Sequence, residues 1–290
     1  MMIDLFVNTL ISGLLLGGFY ALATLGLTLS FGMLDVVNIA QPAVMVCAAI
    51  LTQAAATRFG LDPFLCGLFV LIGFFFIGKY FYRQYFKVFE VKRSGSIEAL
   101  ALFFALLFLL ETGLAMIFGP ERRQINTAWY VSTTLQIGRF SLPMRLLIPF
   151  VAATILGGGM IAFLRHTFIG RAVAAVGQDK LAVRFVGIDP LRIRSFAFGL
   201  SLALGAFAGI CLLLIQPVDP WAGHTYLGRM FSICILGGLA SVRGTWVAAV
   251  VFGVLENFTA TYVGPEWSLC VAFVLLLVTL VIRPQGLFAR

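Results

Sequence analysis

An all-α integral membrane bundle is the fold this sequence predicts, on three observations. Its 290 residues are 61% hydrophobic and 11% charged, with a mean hydropathy of +1.04, whereas soluble domains carry about 25% charged residues. A larger core cannot absorb that difference, because too little polar surface would remain to cover it. Several apolar runs reach the roughly 20 residues that a helix needs to cross the hydrocarbon layer. The runs are continuous rather than alternating, which argues against a β-barrel.

In chain order, helices are expected near 5–32, 36–57, 62–82, 96–118, 143–164, 195–215, 226–241, 244–262 and 267–283. They form a single transmembrane domain over 1–290, a polytopic bundle with eight or nine crossings. The number depends on whether the broken, re-entrant segments near 33–42 and 237–244 reach water. Nothing basic precedes Arg58, so the basic region of a cleaved signal peptide is missing and the first helix is expected to be retained. Cys47, Cys66, Cys211, Cys234 and Cys270 lie in apolar spans without ligand spacing and read as small buried hydrophobes. His166 and His224 are far apart, so no metal site is expected.

Charge orients the bundle. Twenty Lys and Arg face twelve acids, a net +8. Lys79, Arg83, Lys87, Lys92 and Arg93 crowd 79–93, and Arg165, Arg171, Lys180, Arg184, Arg192 and Arg194 crowd 165–194. The positive-inside rule makes both segments cytoplasmic. An anionic membrane surface accounts for the basic balance, so nucleic acid is not a partner. The connections 216–226 and 262–267 contain no Lys or Arg and face outward, with Trp221, Tyr226, Tyr262 and Trp267 as an aromatic belt. The loop 119–142 carries Arg122, Arg123 and Arg139 but joins two helices whose other ends are more basic, so it too is placed outside. The C-terminal end is then inside, and counting back puts the N-terminus outside.

The stretch GRAVAAVGQDKLAVRFVGID, 170–189, reads as a short water-facing helix. Asp179 suits an N-cap, Gly187 a left-handed stop, and Pro190 blocks resumption. Leu181, Phe185 and Ile188 recur at helical spacing as one apolar stripe, and Arg184 in the last turn complements the helix dipole where Lys180 in the first does not. About eight residues cannot stay helical alone in water, so the segment must pack on something. Two readings stay open: an interfacial helix on lipid, or a docking element for a cytoplasmic partner. Small residues at Gly170, Ala172, Ala174, Ala175 and Gly177 allow the close backbone approach that docking needs.

Four motifs in order carry a resemblance. GFYALATLGLTLSFGMLDVVNIA (18–40) is similar to the first-helix signature of permease subunits of ABC importers for branched-chain and other hydrophobic amino acids. GRAVAAVGQD (170–179) followed by GIDPLRIR (187–194) resembles the coupling motif of that family. GRMFSICILGGLASVRGTWVAAVVFGVLE (228–256) is similar to its late Gly-rich block, and RPQGLF (283–288) to its ending. The resemblance covers essentially the whole chain. It implies a complex with a second homologous permease subunit, two cytoplasmic ATPase subunits and a periplasmic or extracellular substrate-binding protein, in the inner membrane of a bacterium. It implies that Gly170, Arg171, Ala172, Ala175, Gly177, Gln178, Asp179 and Arg184 contact an ATPase subunit. Departures are Gln41 and Pro42, where the family has histidine and glycine, and Ala174, where a basic residue is common. The first puts the cargo in doubt and the second removes one expected contact.

The segments 29–44 and 233–248 resemble each other, each interrupting apolar helix with glycines and a few polar groups. Paired breaks of this kind mark transport sites, because irregular backbone is tolerated only where protein or water satisfies it. Asn38, Gln41 and Ser241, with Thr245, supply donors and acceptors, and Gly237, Gly238 and Gly244 admit close backbone. Tight helix turns with small-residue packing would look the same. Asp35 and Arg243 suit the cytoplasmic interface. Arg229, near the outer end of the helix leading into the second break, is expensive there unless it snorkels or meets an anion. A cargo carboxylate is one such anion, matched by the guanidinium fork. Glu111 and Glu256 fall within spans, where an ionisable group is a functional candidate; for Glu256 a helix–helix hydrogen bond is the simpler role. Glu98 suits a helix N-terminus.

No GxxxxGK[ST] occurs, so ATP and its Mg²⁺ belong to separate subunits and this chain is expected to bind no cofactor. No catalytic constellation of an intramembrane enzyme is present. An ion-coupled secondary transporter of small organic solutes is the alternative. It requires a paired acid/base relay, and along the sequence Glu111 and Glu256 are isolated. The substrate itself is not readable.

Overall fold

The computed structural model describes residues 2–90, 96–125, 133–137, 140–239, 241–283 and 286. Lys92, Arg93, Arg139, Pro284, Gln285, Leu287 and Phe288 lie outside the described residues, as do the side chains of Lys180 and Leu181. Eleven α-helices follow one another among the described residues: α1 (Met2–Leu34), α2 (Gln41–Phe59), α3 (Pro63–Tyr85), α4 (Ser96–Phe118), α5 (Met144–His166), α6 (Phe168–Gln178), α7 (Lys180–Phe185), α8 (Pro190–Ile215), α9 (Ala222–Gly237), α10 (Val242–Tyr262) and α11 (Ser268–Ile282). A small antiparallel hairpin, β1 (Thr134–Ile137) and β2 (Phe140–Pro143), precedes α5. With a single antiparallel bridge between Arg123 and Val218, it is the departure of the described residues from an all-α fold.

Among the described residues, seven helices are long and apolar enough to cross a membrane. Helix α10 has 21 residues, about 31 Å at 1.5 Å per residue, but carries Arg243 and Glu256. Helix α9 has 16 residues, about 24 Å and short of the ~30 Å hydrocarbon core. The expected eight or nine crossings therefore resolve into seven clear spans and a more polar pair, α9 and α10, flanking the second break.

Helices α1 and α8 form the core, and α3, α4, α5 and α11 are the least buried of the spans, with large apolar side chains exposed on each. Helix α1 runs antiparallel to both α10 and α8. Asn257 Nδ2 donates to the Thr9 carbonyl at 2.7 Å, and Thr245 Oγ1 meets Thr28 Oγ1 at 3.1 Å. Ser201 Oγ donates to the Gly26 carbonyl at 2.6 Å, and Arg194 to that of Leu34. Glycine makes the first of these packings possible. A Cβ on Gly17 would lie 2.6 Å from the Val250 Cα, closer than side chains pack, so α1 and α10 touch backbone to backbone.

Lys79, Arg83, Lys87, Arg165, Arg171, Arg184 and Arg192 collect at one end of the bundle, which also receives the C-terminal ends of α1 and α11. At the opposite end Arg122 faces Asp219 at 3.7 Å, and Arg123 donates to Gln53 Oε1 at 3.1 Å while its backbone pairs with Val218. Among the described residues of that loop, Arg123 is tied to the protein by side chain and backbone, and Arg122, largely exposed, faces an acid. Trp221, Tyr262 and Trp267 are exposed there as an aromatic belt requires, but Tyr226 is buried, its hydroxyl accepting from Gln216 Nε2 at 2.6 Å. Cys270 is exposed, unlike the other four cysteines; an apolar position in a span can face lipid as readily as core.

Candidate functional site

The 170–189 stretch folds as two helices. Thr167 caps α6, its Oγ1 accepting from Gly170 N at 3.0 Å, and Ala172, Val173 and Val176 turn one face into the bundle. Asp179 caps α7 as expected, Oδ1 accepting from Ala182 N at 3.1 Å, and Gly187 closes the turn at φ 80°. Asp189 then caps α8, accepting from Leu191 N at 3.0 Å with Pro190 in the first turn. That cap starts α8 at Pro190, five residues before its apolar run, because helix geometry needs a cap and not hydropathy.

Of the expected stripe of Leu181, Phe185 and Ile188, Phe185 faces outward and Ile188 is half-buried, while the side chain of Leu181 lies outside the described residues. Helix α7 has six residues, and among those with described side chains Val183 is the buried one. Phe185 and Val186 are 91% and 77% exposed. Between α6 and α7 runs a groove of about 590 Å³ lined by Phe168, Arg171, Ala175, Gln178, Val183 and Val186. Arg171, Ala175, Gln178, Asp179 and Arg184 face outward. The close approaches allowed by the glycines are made within the chain. Gly170 lies against the Phe163 backbone of α5, and a Cβ on Gly177 would lie 2.6 Å from the Met33 carbonyl oxygen of α1.

Helix α6 is thus seated on the first break. Helix α1 ends at Leu34 because Asp35 turns left-handed at φ 54°, rare for a residue with a side chain, and Val36 N–H returns to the Ser30 carbonyl at 3.1 Å. Asn38 Nδ2 donates to Gln41 Oε1 at 2.9 Å, and Gln41 Nε2 to the Ser201 carbonyl at 3.0 Å. Gln41 sits between Gly26 and Gly205, where a Cβ would come within 2.5 Å of its amide nitrogen. Asn38 and Gln41 are fully enclosed and join the break to α8.

At the second break Gly237 ends α9 against Thr245, and Gly238 follows at φ 86°. Ser241 caps α10 by accepting from Gly244 N at 3.1 Å. Thr28 joins the three helices, reaching Thr245 at 3.1 Å and Cys234 Sγ at 3.7 Å. Gly286 packs on Gly238, its Cβ position 2.5 Å from the Gly238 Cα. Thr28 lies six residues before the end of α1, about 9 Å along the axis. Both breaks therefore meet the last two turns of α1.

The two intramembrane acids are not isolated. Glu111 of α4 is 2.8 Å from His224 Nδ1, and Glu256 of α10 accepts from Arg229 Nε at 2.9 Å, with Nη2 also at 2.9 Å from the same oxygen. Arg229 Nη1 donates to the Thr225 carbonyl at 3.2 Å, and the guanidinium lies 5.6 Å from the Tyr226 ring centre. Both bases belong to α9, so the short helix before the second break is tied to α4 on one side and α10 on another. The anion beside Arg229 is supplied by the chain itself. His224 gives no warning in the sequence, its partner being 113 residues away.

Residues 9–280 match the family described as branched-chain amino acid transport system / permease component. The chain is similar to the high-affinity branched-chain amino acid transport system permease protein LivH of Salmonella typhimurium, 24% identical over 98% of this chain and 96% of that protein. It is also similar to the permease protein LivM, described in the same words, from that organism. That match is 31% identical over 41% of this chain and 28% of that protein. Among solved structures, PsaBC from Streptococcus pneumoniae in complex with Fab shares the fold, covering 97% of this chain and 92% of the matched chain. The TM-score is 0.52 at 14% identity.

Proposed function

The chain belongs to the family of branched-chain amino acid transport system permease components, and from that membership we propose that it supplies half of the translocation pathway of a binding-protein-dependent ABC importer. The cargo is a branched-chain or other hydrophobic amino acid, or a related small polar solute. A second, homologous but different permease completes the pathway, a reading supported by similarity to both LivH and LivM. Two ATPase subunits bind ATP and Mg²⁺ at the basic end, which faces the cytoplasm under the positive-inside rule, and a binding protein delivers cargo at the other end. The membrane is the inner membrane of a bacterium.

One observation carries this reading: the outward element of α6 and α7 rests directly on the broken end of α1. A partner that moves α6 moves the break. An apolar groove lined by Val183, Val186 and Ile188, together with the exposed Phe185 of α7, gives that partner a hold, and Arg171 in the groove and the exposed Arg184 favour acidic groups. The ion-coupled alternative is not favoured. The Glu111–His224 and Arg229–Glu256 pairs tie α9 to two different helices instead of forming one relay.

Phe185→Asp tests the assignment. Withdrawing an anchor that buries on docking removes about 1.5–3 kcal/mol, or roughly 10- to 100-fold in affinity. Expected results are loss of ATPase co-purification and of ATP-dependent uptake in proteoliposomes, with membrane insertion unchanged. Normal co-purification would move the docking site elsewhere. Single cysteines at Asn38 and Ser241, in a background lacking the native five, test the pathway. Their labelling by small water-soluble thiol reagents should change with nucleotide. If both stay inert in every state of an active transporter, the two breaks are packing turns.

A further inference from the structure

Arg194 is 2% exposed and heads the fully buried side chains by volume. A guanidinium taken from water costs several kcal/mol unless its surroundings replace the hydration, so its partners are informative. It donates to the carbonyl of Leu34, the last residue of α1, and lies 5.5 Å from the Tyr82 ring centre of α3. That carbonyl is open to a donor because the chain leaves the helix at Asp35. It also carries the negative end of a 33-residue helix, which favours a cation. Nothing in the local sequence marks this role: Arg192, two residues earlier, is exposed and lies 3.3 Å from Asp189.

Consecutive carbonyls at the end of α1 are thus gripped from two directions. Met33 lies under Gly177 of α6, and Leu34 is held by Arg194, one turn into α8. Helices α6 and α8 are joined by α7 and the capped turns at Asp179 and Asp189. Helices α6 and α8 form a clamp closed on the tip of α1, and the segment leaving the clamp leads to Asn38 and Gln41.

We propose that Arg194 is the positioning residue that makes the first break follow α6, converting movement of the coupling element into movement of the pathway. The Gly177 contact is a surface that can push α1 but cannot pull it. The Arg194 hydrogen bond is directional and resists withdrawal. Without it, α6 can be displaced while the tip of α1 stays behind.

This rests on the proposed coupling role of α6, and the test separates the two. The full complex with its ATPase subunits is reconstituted carrying Arg194→Met or Arg194→Lys, each combined with a reporter cysteine at Asp35, exposed in the break, or at Ala175, exposed on α6. ATPase subunits should shield Cys at 175 in every variant. Labelling at 35 should change with nucleotide in the parent and lose that dependence in Arg194→Met. Basal ATPase activity should stay within about twofold, while uptake and cargo-stimulated ATPase activity fall about tenfold, within the 5- to 150-fold range of site-to-site couplings. Arg194→Lys, which can still donate to Leu34, should restore part of both, and it decides the matter if the Met variant does not assemble. An unshielded cysteine at 175 in the parent would overturn the docking assignment itself. Shielding at 175 with nucleotide-dependent labelling at 35 and normal uptake in both variants would overturn the role of Arg194 alone.

Discussion

Glu256→Ala should be among the most damaging single substitutions in the bundle, because it leaves Arg229 buried without its anion. Breaking a buried pair by removing one partner costs about 3–5 kcal/mol, whereas replacing both by well-packed apolar residues is often neutral. The side chains are 12% and 6% exposed, and both contacts measure 2.9 Å, so Glu256 is buried and Arg229 is largely withdrawn from solvent. The thermal midpoint of the detergent-solubilised protein should drop sharply in Glu256→Ala and recover in the double variant Arg229→Met with Glu256→Leu. That double variant also decides what Arg229 is for. If the pair only ties α9 to α10, recovered stability brings recovered uptake. If the guanidinium also receives a cargo carboxylate, stability returns and uptake does not, while the binding protein still docks. A stable Glu256→Ala protein would mean that water or lipid headgroups already solvate Arg229.

Much of this architecture is written in the sequence at the level where one physical rule dominates. Apolar runs located the spans because lipid leaves a long helix few alternatives. Asp179 and Gly187 marked the ends of α7 because caps and left-handed turns have narrow residue preferences. Rules of that kind say nothing about what a surface packs against. The small residues of 170–177 allow close backbone approach to any neighbour, and the neighbours turned out to be Phe163 and Met33 of this chain. Hydropathy separates span from loop but not core from lipid, so Cys270 and Cys234 look alike until the fold exposes one and buries the other. Glu111 and Glu256 looked unpaired because their bases lie on a helix distant in sequence or at no helical spacing, and only the fold brings α9 between α4 and α10. The first break was expected in the right place with its polar residues named, but whether Asn38 and Gln41 face water or α8 is a matter of tertiary packing.

Gly177→Ala should uncouple the transporter while leaving its assembly intact. The added methyl would stand 2.6 Å from the Met33 oxygen and 3.3 Å from its carbonyl carbon. Both are backbone atoms that cannot rotate away, so α6 or the tip of α1 must shift. Overpacking of this kind costs typically about 1–3 kcal/mol, too little to unfold a bundle of this size but enough to bias a two-state element by roughly 5- to 150-fold. Uptake and cargo-stimulated ATPase activity should fall by that order, with normal amounts of protein in the membrane and normal ATPase co-purification. Gly177→Asp should go further, since its carboxylate would meet a carbonyl oxygen with no donor between them. The contrast is with Ala175, two residues away and facing outward. Ala175→Asp should leave α1 undisturbed and weaken ATPase binding instead. If Gly177→Ala released the ATPase subunits as readily as Ala175→Asp, the glycine would serve the partner and not α1. A fully coupled Gly177→Ala transporter would show that α6 can move without engaging the break.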